Sequence, residues 1–173
     1  MIKHHAFTTK FNGLTGTIIT DISIQEPITG DILEEGIKGL WDTGATGSVI
    51  SKKIVEDLGL IPTGKTLASG VHSTIEVNTY IVNVALPNGV VVQDVRVTES
   101  PQFYNFDVLI GMNIIALGDF AFTNRNRESW FSFRIPSVKH IDFVPESIDH
   151  NLKADGFNRK QRRQNKKRLK KKK

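Results

Sequence analysis

The chain has 173 residues, 39% of them hydrophobic and 24% charged, which suits one globular domain with a full core and a tail. It has no cysteine, which excludes disulfides, thiolate metal sites and cysteine nucleophiles. The net charge of +5 hides a division: eleven of the 23 Lys and Arg lie between Arg159 and Lys173, leaving twelve against 18 acids in the preceding residues. The body is mildly acidic and the tail strongly basic.

Residues 1–15 are weakly patterned and read as an N-terminal extension. Met1 to Lys10 lacks the apolar core of a signal peptide, and no run reaches the roughly 18 apolar residues that span a bilayer. A cytoplasmic location is therefore expected. His4 and His5 have no third ligand nearby, so neither a metal nor a cofactor is expected.

From Gly16 the texture is β, with Ile18, Ile22 and Ile24 in one phase. Pro27 and Gly30 mark a turn before a strand of about Ile37–Trp41. Ser51 is the expected N-cap of a short helix carrying Ile54, Val55 and Leu58, with Gly59 as its stop. Residues 65–99 read as consecutive hairpins. Ile75, Val77, Thr79 and Ile81 share one phase, Pro87-Asn88-Gly89 makes a tight turn, and Val91, Val95 and Val97 share the return phase. Phe106–Gly111 reads as a buried strand, Met112–Leu117 as a short helix, and Asp119–Asn124 with Ser129–Ile135 as a hairpin. Phe131 and Phe133 are expected in the core, with Trp130 on the opposite face. Residues 137–156 form a C-terminal extension and 157–173 a basic disordered tail.

The chemistry centres on Trp41-Asp42-Thr43-Gly44-Ala45-Thr46, where an apolar strand delivers a carboxylate into a glycine turn beside hydroxyls. Peptide hydrolysis without a metal or covalent nucleophile needs a base for the attacking water and an acid for the carbonyl oxygen. Two facing carboxylates supply both, because like charges at hydrogen-bonding distance do not both ionise. Gly44 offers an unobstructed N–H to the carboxylate, and Thr43 and Thr46 supply hydroxyls. Asp-Thr-Gly is also an ordinary turn sequence, arising by chance in roughly a few per cent of chains this long. Alone it decides little.

It is followed about 60 residues later by Asp107-Val108-Leu109-Ile110-Gly111 and a short apolar helix, with the Leu67–Tyr80 hairpin between. Together with Leu40–Ile50, these stretches resemble the retropepsin-like aspartic peptidases, and Met112–Phe120 is more similar to bacterial members than to viral ones. The resemblance covers about residues 16–136. It implies a mostly β fold: a small, closed, antiparallel barrel-like acid-protease fold with one or two short helices. It implies an endopeptidase acting on a peptide or protein substrate. Single-domain members carry one such triplet and dimerise to pair two aspartates, and this chain has one.

On the same resemblance, Asp42 acts as acid or base with its symmetry mate, Thr43 interlocks with the opposite chain, and Gly44 lies by the substrate. Ala45 and Thr46 line the substrate, as do Ser69, Gly70, Val71 and His72 of a flap. Leu109, Ile110 and Gly111 support the catalytic loop from below. The acid and arginine that brace viral dimers are both absent, since Thr46-Gly47 and Met112 stand in their places. Asp107 lacks the following hydroxyl and glycine and reads as a solvated strand-end acid. His72 reads as a surface-loop histidine.

In the tail, Arg159, Lys160, Arg162, Arg163, Lys166, Lys167 and Arg168 offer phosphate-binding charge without interleaved aromatics. A nucleic acid, an anionic membrane surface and mere solubilisation are all compatible with them. Three functions stay open at this point: a homodimeric peptidase, a silent binding module of the same fold, and a nucleic-acid-associated protein.

Overall fold

The computed structural model describes residues 2–69, 74–100, 103 and 105–170. They fall into two compact units, Met1–Val138 and Lys139–Lys173, each described by itself.

The first unit runs β1 (His5–Lys10), β2 (Ile19–Gln25), β3 (Ile32–Trp41), β4 (Ser48–Ser51), α1 (Lys52–Asp57), β5 (Gly64–Ser69) and β6 (Thr74–Ala85). It continues through β7 (Val91–Ser100), β8 (Val108–Ile110), α2 (Met112–Ile115), β9 (Asp119–Arg125) and β10 (Glu128–Ile135). Six strands in the order β2-β3-β8-β4-β7-β6 return to β2 through a β2–β6 pairing. The sheet is thus a closed barrel, with β5 extending β6 as the arm of an outer hairpin. Most neighbours are antiparallel, but β3–β8 and β4–β7 pair in parallel. Ile22, Ile24, Val82, Val84, Val97, Val108 and Ile110 fill the interior.

The sequence phases hold in β2 but shift in the central hairpin. The core residues of β6 are Tyr80, Val82 and Val84, whereas Ile75 is exposed, because Ile75 pairs with Ala68 of β5 outside the barrel. In β7 the predicted common phase is broken by a bulge at Asp94, whose φ is +54°. Its N–H donates to Asn83 Oδ1 at 2.9 Å, and the register with β6 shifts there. Val95 and Val97 therefore face the core while Val91 does not. The turn between these strands uses Pro87 in its fixed φ, the Gly89 N–H donating to Leu86 O at 2.9 Å, and φ +76° only at Gly89. Ser51 caps α1 as expected, its Oγ accepting from the Ile54 N–H at 3.3 Å.

A second sheet, ordered β1-β10-β9, corrects the reading of residues 1–15 as an extension. β1 pairs with β10 over its whole length, from His5↔Ile135 to Lys10↔Trp130. Phe7 is its one large apolar residue, and that is too little pattern to mark a strand in sequence. Its ring lies 5.6 Å from Phe131 and 5.9 Å from Trp41. Phe131 and Phe133 are fully buried, and Trp130 faces outward beneath the Lys10 ammonium, 4.1 Å from its ring centroid.

Asp119 at the start of β9 gathers the end of this unit. Its carboxylate accepts from Ser137 Oγ at 2.6 Å, the Val138 N–H at 2.9 Å and Arg134 Nε at 2.9 Å. These donors, Ser137 foremost, then Val138 and Arg134, hold the carboxyl well below the usual carboxylate range.

The second unit contains α3 (Val144–Ala154) and α4 (Arg159–Lys170), which corrects the reading of residues 157–173 as disordered over the span of α4. α3 ends in a Schellman turn: the Phe157 N–H donates to Leu152 O at 3.0 Å and that of Gly156, at φ +76°, to Lys153 O at 3.1 Å. α4 opens with a capping box. Asn158 Oδ1 accepts from the N–H groups of Lys160 and Gln161, both at 3.0 Å, and Gln161 Oε1 accepts in return from the Asn158 N–H at 2.9 Å. The cation run that suggests disorder thus begins with a specific helix start.

Phe7→Ala should lower stability by about 2 kcal/mol in a urea titration, because it opens a hole between the sheets; an unchanged midpoint would return β1 to the status of an extension. Asp119 is deprotonated more readily in the folded than in the unfolded chain, so its contribution is present above about pH 4 and is lost as pH falls below that. The acid limb of a thermal-stability profile should accordingly flatten in Asp119→Asn.

Candidate active site

β3 and β8 run in parallel with Trp41 opposite Ile110, so the residues that follow each strand emerge side by side at one end of the barrel. The Asp42 N–H donates to Ile110 O at 3.0 Å, continuing the ladder one residue beyond β3. The chain then turns: the Gly44 N–H donates to Asp42 Oδ1 at 2.8 Å and the Ala45 N–H to Asp42 O at 3.3 Å. Asp42 is half-buried, while Thr43, Gly44 and Thr46 are exposed. Among the described residues, the Gly44 N–H is the donor to this carboxylate.

The loop is locked from below by the second motif. The Met112 N–H donates to Ala45 O at 2.8 Å and the Asn113 N–H to Thr46 O at 3.2 Å. A Cβ at Gly111 would lie 2.4 Å from Gly47 O and 2.9 Å from Ala45 O, so only glycine permits this approach. Ile110 is fully buried and Leu109 half-buried beneath the loop.

Ser48 and Asn113 are parts of this lock that the sequence reading missed. Ser48 is buried; its Oγ donates to Asn113 Oδ1 at 2.8 Å and accepts from the Gly111 N–H at 3.1 Å. The available signal was a hydroxyl at an inward position of β4, two residues before buried Ile50. Behind the loop, Trp41 Nε1 donates to Thr20 Oγ1 at 2.9 Å. Its ring centroid lies 4.9 Å from both Phe131 and Phe133. The residue preceding Asp42 is thereby tied to both sheets.

The remaining sequence-predicted residues lie elsewhere. Ser69 ends β5, paired with Thr74 across the outer hairpin, and Gly70, Val71 and His72 lie outside the described residues. Asp107 is not paired with Asp42. Its Oδ2 accepts from the Lys38 N–H at 3.1 Å, and its own N–H donates to Lys38 O at 2.8 Å, so it closes the other end of the β3–β8 ladder. The predicted basic residues from Arg159 to Arg168 belong to α4 in the second unit.

A family model described as gag-polyprotein putative aspartyl protease matches residues 28–116, just over half of the chain. The chain belongs to this aspartyl protease family. The matched span contains both motifs and the hairpin between them. The fold agrees: the crystal structure of a retropepsin-like aspartic protease from Rickettsia conorii aligns with TM-score 0.50 at 12% identity, over 78% of this chain and 98% of that one. The solution structure of simian foamy virus (mac) protease aligns with TM-score 0.41 at 21% identity, over 57% and 92%. EIAV protease complexed with the inhibitor HBY-793 aligns with TM-score 0.45 at 20% identity, over 61% and 90%. No curated protein matches the sequence.

Removing the Ser48 hydroxyl strands the Gly111 N–H and the Asn113 amide. Ser48→Ala should cost about 1–3 kcal/mol in chemical denaturation, and Gly111→Ala a similar amount through overpacking. A neutral Ser48→Ala would show that the loop is held by its backbone bonds alone.

Proposed function

We propose that this protein is a homodimeric aspartic endopeptidase in which Asp42 of one copy faces Asp42 of the other. The observation that carries the reading is the seat of Asp42: a half-buried carboxylate with Oδ1 held by the Gly44 N–H, on a loop fastened by the Gly111 segment. One chain supplies one such carboxylate, and the chemistry needs two. Facing one another, the two share a proton. The ionised carboxylate takes a proton from water as the water oxygen attacks the peptide carbonyl carbon, and the protonated one gives its proton to the carbonyl oxygen. Collapse of the resulting diol, with proton transfer to nitrogen, breaks the C–N bond. Family membership and the barrel fold support the reading.

In this arrangement exposed Thr43 lies in the dimer seam, and Ala45 and Thr46 lie beside the substrate. The β5–β6 hairpin covers the bound peptide. Dimer contacts other than an acid–arginine brace hold the copies together, because Thr46-Gly47 and Met112 occupy those places. A cytoplasmic location, suggested by the cysteine-free sequence, completes the proposal. No helix among the described residues is long and apolar enough to cross a membrane.

Asp42→Asn should lower cleavage of a mixed peptide library by about 10²–10⁴-fold, the usual contribution of a positioned acid or base. Sedimentation of the wild type should show a dimer under the conditions of cleavage. Undiminished cleavage by Asp42→Asn, or full activity in a strictly monomeric wild type, would sink the mechanism.

A further inference from the structure

α4 is a folded helix with most of its charge on one side. At 100° per residue, positions 159, 160, 162, 163, 166, 167 and 170, all Lys or Arg, fall within an arc of about 160°. Gln161, Gln164, Asn165 and Leu169 occupy the rest, with Arg168 nearly opposite the centre of the arc. Among the described residues, no carboxylate forms an ion pair with Arg159, Lys160, Arg162 or Arg163. Like charges three and four positions apart, such as Arg159–Arg163 and Arg159–Arg162, oppose a free helix. The capping box at Asn158 starts this helix despite that repulsion. A polyanion lying along the arc would remove the repulsion.

We propose that α4 binds the phosphate backbone of a nucleic-acid duplex, independently of base sequence, through the arc that contains Arg159, Lys160, Arg162 and Arg163. The helix is about 18 Å long and about 10 Å across, which matches the major groove of B-form DNA, about 12 Å wide and flanked by phosphates on both strands. A duplex is favoured over a single strand because residues 158–173 contain no aromatic side chain on which a base could stack. A membrane surface is disfavoured because the face opposite the cations is amide-rich, and Leu169 is the only large apolar residue in the helix. The inference is independent of catalysis at Asp42.

The test is fluorescence anisotropy of a labelled 24-base-pair duplex of arbitrary sequence with the full chain, repeated across a salt series. Contact with five or six phosphates predicts that affinity falls about a thousandfold between 50 and 200 mM salt. Arg159→Gln/Arg162→Gln/Arg163→Gln should reduce the log–log salt slope by about three. Arg168→Gln, off the arc, should leave affinity within about twofold and the slope unchanged. Circular dichroism checks that both variants keep the helix, and Asp42→Asn should bind the duplex as the wild type does. Equal losses from the triple and Arg168 variants would reduce the patch to diffuse tail charge and overturn the proposal. So would salt-insensitive binding, a preference for single strands, or tighter binding to phosphatidylserine vesicles than to the duplex.

Discussion

The parallel register of β3 and β8, Trp41 opposite Ile110, is the constraint on which the rest of the first unit depends. A parallel pair sends both chain ends out on the same side of a sheet, whereas a hairpin would send them in opposite directions. Asp42 and Gly111, about 70 residues apart in sequence, therefore leave the barrel as neighbours. Everything at the site follows from that adjacency: the backbone bonds from Met112 and Asn113 into the loop, the need for glycine at 111, and the Ser48 hydroxyl between them. β4 then returns antiparallel to β8 and closes the loop into a short arch over the second motif.

The aromatic cluster gives this arch its base. Trp41 is both the last residue of a barrel strand and the centre of the packing between the sheets, with Phe7, Phe120, Phe131 and Phe133 around it. Its indole N–H is satisfied by Thr20, so the ring is oriented as well as buried. Displacing the second sheet would therefore move the residue that carries Asp42.

What could be read from the sequence was whatever is encoded locally. The Asp42–Gly44 turn, the Ser51 cap, the hairpin of Asp119–Asn124 with Ser129–Ile135 and the alternation of Phe131 and Phe133 are set by neighbours in the chain. The structure has Asn126 and Arg127 at φ +55° and +62°, as a two-residue hairpin requires. The closed β fold and its family were legible because the two motifs occur in order at a recognisable spacing. Pairings between distant segments were not legible: the parallel β3–β8 ladder, the Ser48–Asn113 bond and the β1–β10 pairing have no local pattern. The bulge at Asp94 moved the hydrophobic phase of β7 for the same reason, since Asn83 of β6 supplies its hydrogen bond. At α4 the error ran the other way. Composition suggested disorder, while two residues of the right type, Asn158 and Gln161, specified a helix start.

The pairing of β1 with β10 has a consequence for how the Asp42 loop acquires its support. β1 finds its partner only when residues near 135 have been made, so contacts around Trp41 have very large sequence separation. Closing so long a loop is entropically slow, and such contacts form late. Until then Trp41 lacks its aromatic neighbours and the arch carrying Asp42 has no base. A growing chain thus passes through an interval with both signature motifs already made and no aromatic base beneath the loop, and the order of synthesis delays that packing until β10 is complete.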